Sequence, residues 1–200
     1  MSTSPSETAE TREGYDPTAL QDKWLDEFMA RYKAEFLQHH YDIHGIPFRS
    51  WLVGWLPVIN RLGMVFRPVT NFVTGLKMFK RFIGFEESRS IPLLSKNTLR
   101  SQTRRNKNER GGKNGTVYLF ADEFTDYNES DIGIKAVRLL ENLGYEVSIP
   151  KHRESGRTFL SKGLLRSAQK IAVKNILMLR DVVTEERPLV GIEPSALLTF

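Results

Sequence analysis

The sequence reads as an α/β domain, a parallel sheet with crossover helices, standing behind a separate helical region. Three observations carry that expectation. Short runs of strand formers, "TVYLFA" (116–121), "YEVSIP" (145–150) and "PLVGIEP" (188–194), alternate with segments of helical period. Glycine and proline fall between them, at Gly115, Gly144 and Pro150. The first half of the chain lacks this alternation and repeats apolar residues at steps of three and four. Strand, helix, strand, helix, strand is the order that builds a parallel sheet, with right-handed connections.

Taken in order, residues 1–16 are polar, rich in Ser, Thr and Glu, and without the apolar stretch of a signal peptide. They are read as a disordered leader. Residues 17–99 form the helical region. Pro17 suits a first helical turn, and Leu20, Trp24, Phe28, Tyr32, Phe36 and His39 make one apolar stripe. Gly45 and Pro47 stop it. Further helices are expected over 48–63 and 69–83, separated by Pro68 and closed by Gly84. The most apolar stretch, 51–66, is broken by Pro57, Asn60 and Arg61 and falls short of the roughly 20 residues of a spanning helix. The aromatics of this region leave two readings open: a helical layer packed on protein, or an amphipathic surface lying on a membrane.

Residues 100–115 read as a basic linker. Arg100, Arg104, Arg105, Lys107, Arg110 and Lys113 could meet phosphates, but no aromatic is interleaved for bases to stack on, which speaks against nucleic acid. From residue 116 to 200 runs the α/β domain. Its first helix, about 130–143, is expected to be capped by Asn128 or Ser130 and ended by Gly144. Its second runs from Leu165 to Val183.

The formal net charge of +5 and 26% charged residues are ordinary for a globular chain. The absence of cysteine excludes disulfides, thiol nucleophiles and clusters held by this chain's own thiolates. No glycine-rich nucleotide fingerprint is present.

In an open parallel sheet the strand-to-helix loops share the carboxyl edge, where ligands bind. Here they are "ADEFTDYN" (121–128), "KHRESGRT" (151–158) and "EPSA" (193–196). They bring Asp122, Glu123, Thr125, Asn128, His152, Glu154, Ser155, Arg157, Glu193 and Ser195 to one edge. Several chemistries are open. Ser155 and His152 could serve as nucleophile and base, though no nucleophile elbow surrounds them. His152 with Glu154, Glu193 or Asp122 could hold a metal, though no ligand spacing motif is present and no metal is expected. Arg157, with Lys162 and the backbone N–H groups of the following helix, could hold a phosphate or carboxylate. Glu154 and Glu193 would then orient Arg157. Alternatively Gly156 makes a turn, Ser161 or Thr158 caps the helix, and Arg157 pairs with Glu154 or Glu193.

The segments "GTVYLFADEFTDYNESDIGIKAVRLLENLGYEV", "KHRESGRTFLSKGLLRSAQKIAVKNI" and "PLVGIEPSALLTF" resemble the cysteine-rich, CCG-type domain of iron–sulfur oxidoreductases. The likeness is to the C-terminal part of FAD-linked oxidases of the D-lactate, glycolate and 2-hydroxyglutarate dehydrogenase type. The same domain type occurs in heterodisulfide reductases and in the iron–sulfur subunit of anaerobic glycerol-3-phosphate dehydrogenase. "ARYKAEFLQHHYDIHGIP" (30–47) is similar to the helix that follows the ferredoxin-like cluster motif in those flavoproteins. The resemblance covers roughly residues 28–200, most specifically in "SGRTFLSKGLL" and "GIEPSALLTF". It implies that Glu154 and Ser155 stand where members carry a cysteine pair, and Ala196 where another cysteine often follows. The ferredoxin-like motif expected before Ala30 is missing, and the family continues past Phe200.

The resemblance therefore implies a C-terminal part of an FAD-linked 2-hydroxy acid dehydrogenase, from a longer or split polypeptide. FAD and iron–sulfur clusters are expected on a partner: an FAD-containing dehydrogenase domain or subunit and a ferredoxin-like segment. This chain would bind no cofactor itself. The alternatives are a non-catalytic interaction module of the same descent and a binder of anionic surfaces. The expected location is cytoplasmic, with peripheral contact at the inner face of a membrane as an option.

Overall fold

The computed structural model describes residues 17–105 and 112–200, with the side chains of Met29 and of residues from 31 onward. The leader expected over 1–16 and residues 106–111 of the expected linker lie outside the described residues. The chain divides into two units, up to Lys33 and from Ala34 to Phe200. In the first, the described part is the opening of helix α1 (Pro17–His44). The rest of the architecture belongs to the second.

Four short helices follow α1: α2 (Phe48–Gly54), α3 (Leu56–Gly63), α4 (Arg67–Gly75) and α5 (Lys77–Phe82). The stretch expected as one helix over 48–63 breaks at Trp55, directly before Leu56 and Pro57, because a proline lacks the N–H a continuous helix needs. Pro68 does not separate helices. It sits in the first turn of α4, where a missing N–H costs nothing. Gly54 packs so closely on α9 (Arg157–Ser161) and its C-terminal flank that a Cβ would come within 2.7 Å of Leu164 Cδ1. A larger residue there would make the Leu164 and Phe159 side chains give way.

Residues 84–98 carry no helix, but α6 (Leu99–Arg105) opens the segment read as a linker. The reason is packing. Leu99 is fully buried in the core of the α/β domain, and a solvated linker has no such anchor.

The sheet has three parallel strands, β1 (Thr116–Phe120), β2 (Glu146–Ser148) and β3 (Leu189–Gly191), in the order β2-β1-β3. The register aligns Val117 with Val147 and Leu119 with Val190. Helix α7 (Glu123–Tyr127) and helix α8 (Ser130–Asn142) connect β1 to β2. The helices α9 and α10 (Leu165–Leu179) connect β2 to β3, and α11 (Pro194–Leu197) follows β3. This is an α/β fold with crossover helices behind a helical region.

Successive strand residues face opposite sides. Val117, Leu119 and Ala121 join Leu99, Val137 and Val147 in one core. A second core, under α10, gathers Tyr41, Phe159, Leu164 and Ala168. Burying each large apolar side chain contributes roughly 1.5–3 kcal/mol.

Two expected caps differ. Helix α8 starts after Glu129 with no side-chain cap, while Asn128 binds the carbonyls of Pro92 and Leu93 instead. Helix α9 starts after Gly156, and neither Thr158 nor Ser161 caps it. The Thr158 hydroxyl donates across to the Gly54 carbonyl at 2.9 Å, and that of Ser161 to the Thr158 carbonyl.

Candidate functional site

The three strand-to-helix loops meet at the carboxyl edge of the sheet, joined by side chains. In the first loop Asp122 caps α7, its carboxylate accepting from the amides of Phe124 and Thr125 and from the Thr125 hydroxyl. This orients Glu123 toward the second loop. There the Ser155 amide donates to Glu123 Oε2 at 3.0 Å and the Ser155 hydroxyl to Oε1 at 2.9 Å. Both residues are buried. Burial pushes the Glu123 carboxyl above the ordinary carboxylate range, against the lowering effect of the Ser155 bonds. Gly156, next in the chain, has φ +87°, a left-handed conformation that favours glycine. The turn it makes was expected from the sequence.

Arg157 reaches the third loop. Its guanidinium lies 3.4 Å from Glu193 Oε1, with both side chains about 40% exposed. Ser195 donates to the same Glu193 carboxylate. That bond, and then Arg157, hold the Glu193 carboxyl below its ordinary value. The Arg157 amide is not free for an anion, because it donates to Ser155 Oγ at 3.1 Å. Arg157 thus pairs with Glu193, and not with Glu154.

Nothing along the chain paired Arg100 with His152, yet the two share a second network. Arg100, on α6, donates from Nε to Asp126 Oδ2 at 3.1 Å, and its backbone amide donates to Asp126 Oδ1 at 3.0 Å. Its Nη2 lies 2.8 Å from His152 Nε2, and its Nη1 reaches the Pro150 carbonyl. The His152 tautomer follows from its neighbours. Nδ1 sits 2.6 Å from the Arg153 carbonyl, which can only accept, so Nδ1 carries the proton. Nε2 then accepts from Arg100 and from the Ala121 amide. The ring stacks on Phe120, with centroids 4.0 Å apart. Burial, and then the Arg100 charge, lower the His152 pKa to about 3, so the imidazole is neutral near neutral pH. Asp126 is raised by burial, an effect that Arg100 opposes.

The edge is divided into two clefts. One, of about 410 Å³, is lined by Arg61, Arg100, Glu123, Tyr127, His152 and Glu154, among others. The other, of about 440 Å³, includes Asp122, Arg157, Lys162 and Glu193. Ser155 and Gly156 lie in the chain between His152 and Glu154 of the first and Arg157 of the second. So the ten residues expected at this edge do not line one pocket.

Ser155 and His152 do not form a nucleophile–base pair: the hydroxyl donates to Glu123, and His152 Nε2 is occupied by two donors. Among the described residues no three of His, Asp and Glu come together in a way that could hold a metal ion. The three positions that the resemblance sets against cysteines do not suit a cluster. Glu154 and Ser155 offer oxygen, and Ser155 is fully buried with its hydroxyl and amide bonded. Ala196 is buried and has no donor atom at all.

Asn175 of α10 is the second residue sequence reasoning missed. It is fully buried, accepts from the Arg153 amide at 2.7 Å and donates to the Glu154 carbonyl at 2.9 Å, fixing the second loop. A signal existed: it falls between Ala172 and Leu179 on the otherwise apolar face of α10. Arg100 had no such signal, because its partners are 26 and 52 residues away.

Among curated proteins the chain is 26% identical to D-2-hydroxyglutarate dehydrogenase of Escherichia coli K12 over 184 residues, 84% of this chain and 18% of that protein. It is 25% identical to D-2-hydroxyglutarate dehydrogenase of Pantoea ananatis over 187 residues, again 84% of the chain and 18% of the relative. It is also 22% identical over 148 residues to one subunit of the anaerobic glycerol-3-phosphate dehydrogenase of E. coli K12, covering 72% of the chain and 37% of that subunit. The chain thus spans about a fifth of the length of the first two relatives and over a third of the other. No family model matches, and no solved structure does. Low-identity likeness to dehydrogenases of this kind is what the comparisons give.

Proposed function

We propose that this chain is the accessory, CCG-like part of an FAD-linked 2-hydroxy acid dehydrogenase, without cluster ligands of its own. One observation carries the reading. Overlapping stretches of the sequence match part of a D-2-hydroxyglutarate dehydrogenase and part of a polypeptide named as one subunit of another dehydrogenase. A scaffold that occurs in both settings is a module that works beside a dehydrogenase body. A flavin and iron–sulfur centres on the companion polypeptide would supply the hydride-accepting and electron-relay chemistry. This chain's residues hold the edge: Glu123 and Asn175 fix the second loop, and Arg157 with Glu193 stands in the second of the two clefts as a group able to meet a carboxylate or phosphate.

The test is the composition of the complex purified from native cells through a tag on this chain. Flavin, iron and 2-hydroxy-acid-dependent dye reduction are expected to co-purify with it. A chain that purifies with neither flavin nor iron overturns the reading.

A second reading, an interaction module with no part in electron transfer, is favoured by the mutual pairing of the edge groups, Glu123 with Ser155 and Arg157 with Glu193. It predicts flavin in the complex and a turnover indifferent to Arg157→Ala.

A further inference from the structure

Helix α4 is turned inside out. Its polar side chains face the protein: Asn71 Nδ2 donates to the Leu94 carbonyl at 3.0 Å, the Leu94 amide donates to Asn71 Oδ1 at 2.8 Å, and the Thr70 hydroxyl donates to the Gly63 carbonyl. Val73 is half-buried, and the helix's other large apolar side chains face out. Val69, Phe72 and, at its C-cap, Leu76 follow at steps of three and four, one helical face, and all are exposed, Phe72 at 68%. Helix α5 repeats the arrangement in part, with Phe79 half-buried and Lys77 and Arg81 exposed. Lys80 is buried, its ammonium on the carbonyls of Glu87 and Arg89, while Met78 and Phe82 stand 80% and 78% exposed. An apolar face of this extent on a folded protein marks an interaction surface.

The charge around the face says what covers it. From Ile43 to Phe85 the chain has no Asp or Glu, though Asp42, Glu86 and Glu87 border the stretch, and besides the buried Lys80 it carries Arg49, Arg61, Arg67, Lys77 and Arg81. Two copies of such a face would set like charges against each other, which disfavours self-association. An anionic bilayer has the right sign but the wrong shape. The outer sides of α8 (Ile132, Leu139, Leu143) and α10 (Val173, Ile176, Leu177) are also apolar and exposed. Because β2 and β3 flank β1 on opposite sides, right-handed crossovers put those two helices on opposite faces of the sheet. One plane cannot cover both, whereas an enclosing polypeptide can. The D-2-hydroxyglutarate dehydrogenase relatives have more than four-fifths of their length outside the matched region, enough chain to do so.

We infer that the outward face of α4 and α5 is the docking surface for the companion, flavin-bearing dehydrogenase polypeptide, which meets it with an apolar patch edged by carboxylates. The inference rests on the proposed function and names the surface that function uses.

The test places a photo-crosslinking phenylalanine analogue, p-benzoylphenylalanine, at Phe72 or at Met78 of the full chain in its native cells. In parallel, Phe72→Asp and Met78→Asp chains are purified through a tag and their flavin content measured. Both positions are exposed, so the variants keep the wild-type circular dichroism. Crosslinked peptides from a flavin-binding dehydrogenase, with a roughly tenfold or greater loss of co-purifying flavin in each Asp variant, are expected. Flavin that co-purifies undiminished, with no crosslink from either position, overturns the surface and leaves the proposed function standing. No flavin even with the wild-type chain overturns both. Salt-sensitive binding to phosphatidylglycerol vesicles that the Asp variants abolish, with flavin retained, overturns the protein occupant in favour of lipid.

Discussion

The amide and the hydroxyl of Ser155 both donate to the carboxylate of Glu123, at 3.0 and 2.9 Å, across 32 residues of chain. This paired contact joins the first strand-to-helix loop to the second. Ser155→Ala removes one bond to a carboxylate and the acceptor of the Arg157 amide. It is expected to cost about 2 kcal/mol, read from denaturant unfolding. An unchanged midpoint would show that the contact holds nothing.

The same carboxyl makes stability depend on pH. The folded-state pKa of Glu123 lies above its ordinary value, so the folded chain keeps a proton that the unfolded chain has released. Its contribution is full below the ordinary carboxylate range and is lost as pH rises through the raised pKa. Glu123→Gln keeps an acceptor for Ser155 and removes this slope. Unfolding curves from pH 4 to 8 are expected to be flatter in the variant, and parallel curves would contradict the assignment.

For His152 the sign is opposite. Its folded-state pKa is about 3, below the ordinary 6.5, so its contribution is intact above pH 6.5 and declines as pH falls toward 3. Nuclear magnetic resonance of the ring nitrogens should find a proton on Nδ1 and no titration between pH 8 and 5. A midpoint near 6.5 would mean that the ring is not held between Arg100, Ala121 and Phe120.

Arg100 is one-third exposed, but its partner Asp126 is only 4% exposed. Arg100→Met therefore leaves a buried carboxylate without its cation and is expected to cost about 3 kcal/mol. Asp126→Asn in the same chain should recover part of it, as a double-mutant cycle would show. By contrast the exposed Arg157–Glu193 pair contributes about 0–1 kcal/mol. Arg157→Ala is expected to leave the melting temperature nearly unchanged while lowering turnover of the assembled enzyme. Unchanged turnover removes the site.

Gly163 and Gly45 separate backbone strain from packing. Both have left-handed φ, +71° and +82°. A Cβ at Gly45 meets nothing, whereas at Gly163 it would lie 2.3 Å from Leu37 Cβ. Gly45→Ala is expected to cost about 1 kcal/mol. Gly163→Ala should cost about 3 kcal/mol, because the overpacking of α1 adds to the strain. Equal losses would mean that α1 moves aside freely.

Features governed by local pattern were legible before any coordinates. The runs 116–121, 145–150 and 188–194 hold the three strands, Gly144 ends α8, Gly156 takes its left-handed turn, and the three loops share an edge. Alternation, helical period and glycine conformation act within a few residues, so they can be read along the chain. Three-dimensional packing was needed to learn that Arg100 leaves a supposed linker for Asp126 and His152, that Glu123 is buried against Ser155, and that α4 turns its asparagine inward and its phenylalanine outward. Periodicity tells which residues share a face but not which way that face points. A buried charge finds its partner through packing over long sequence separations, which no local pattern records.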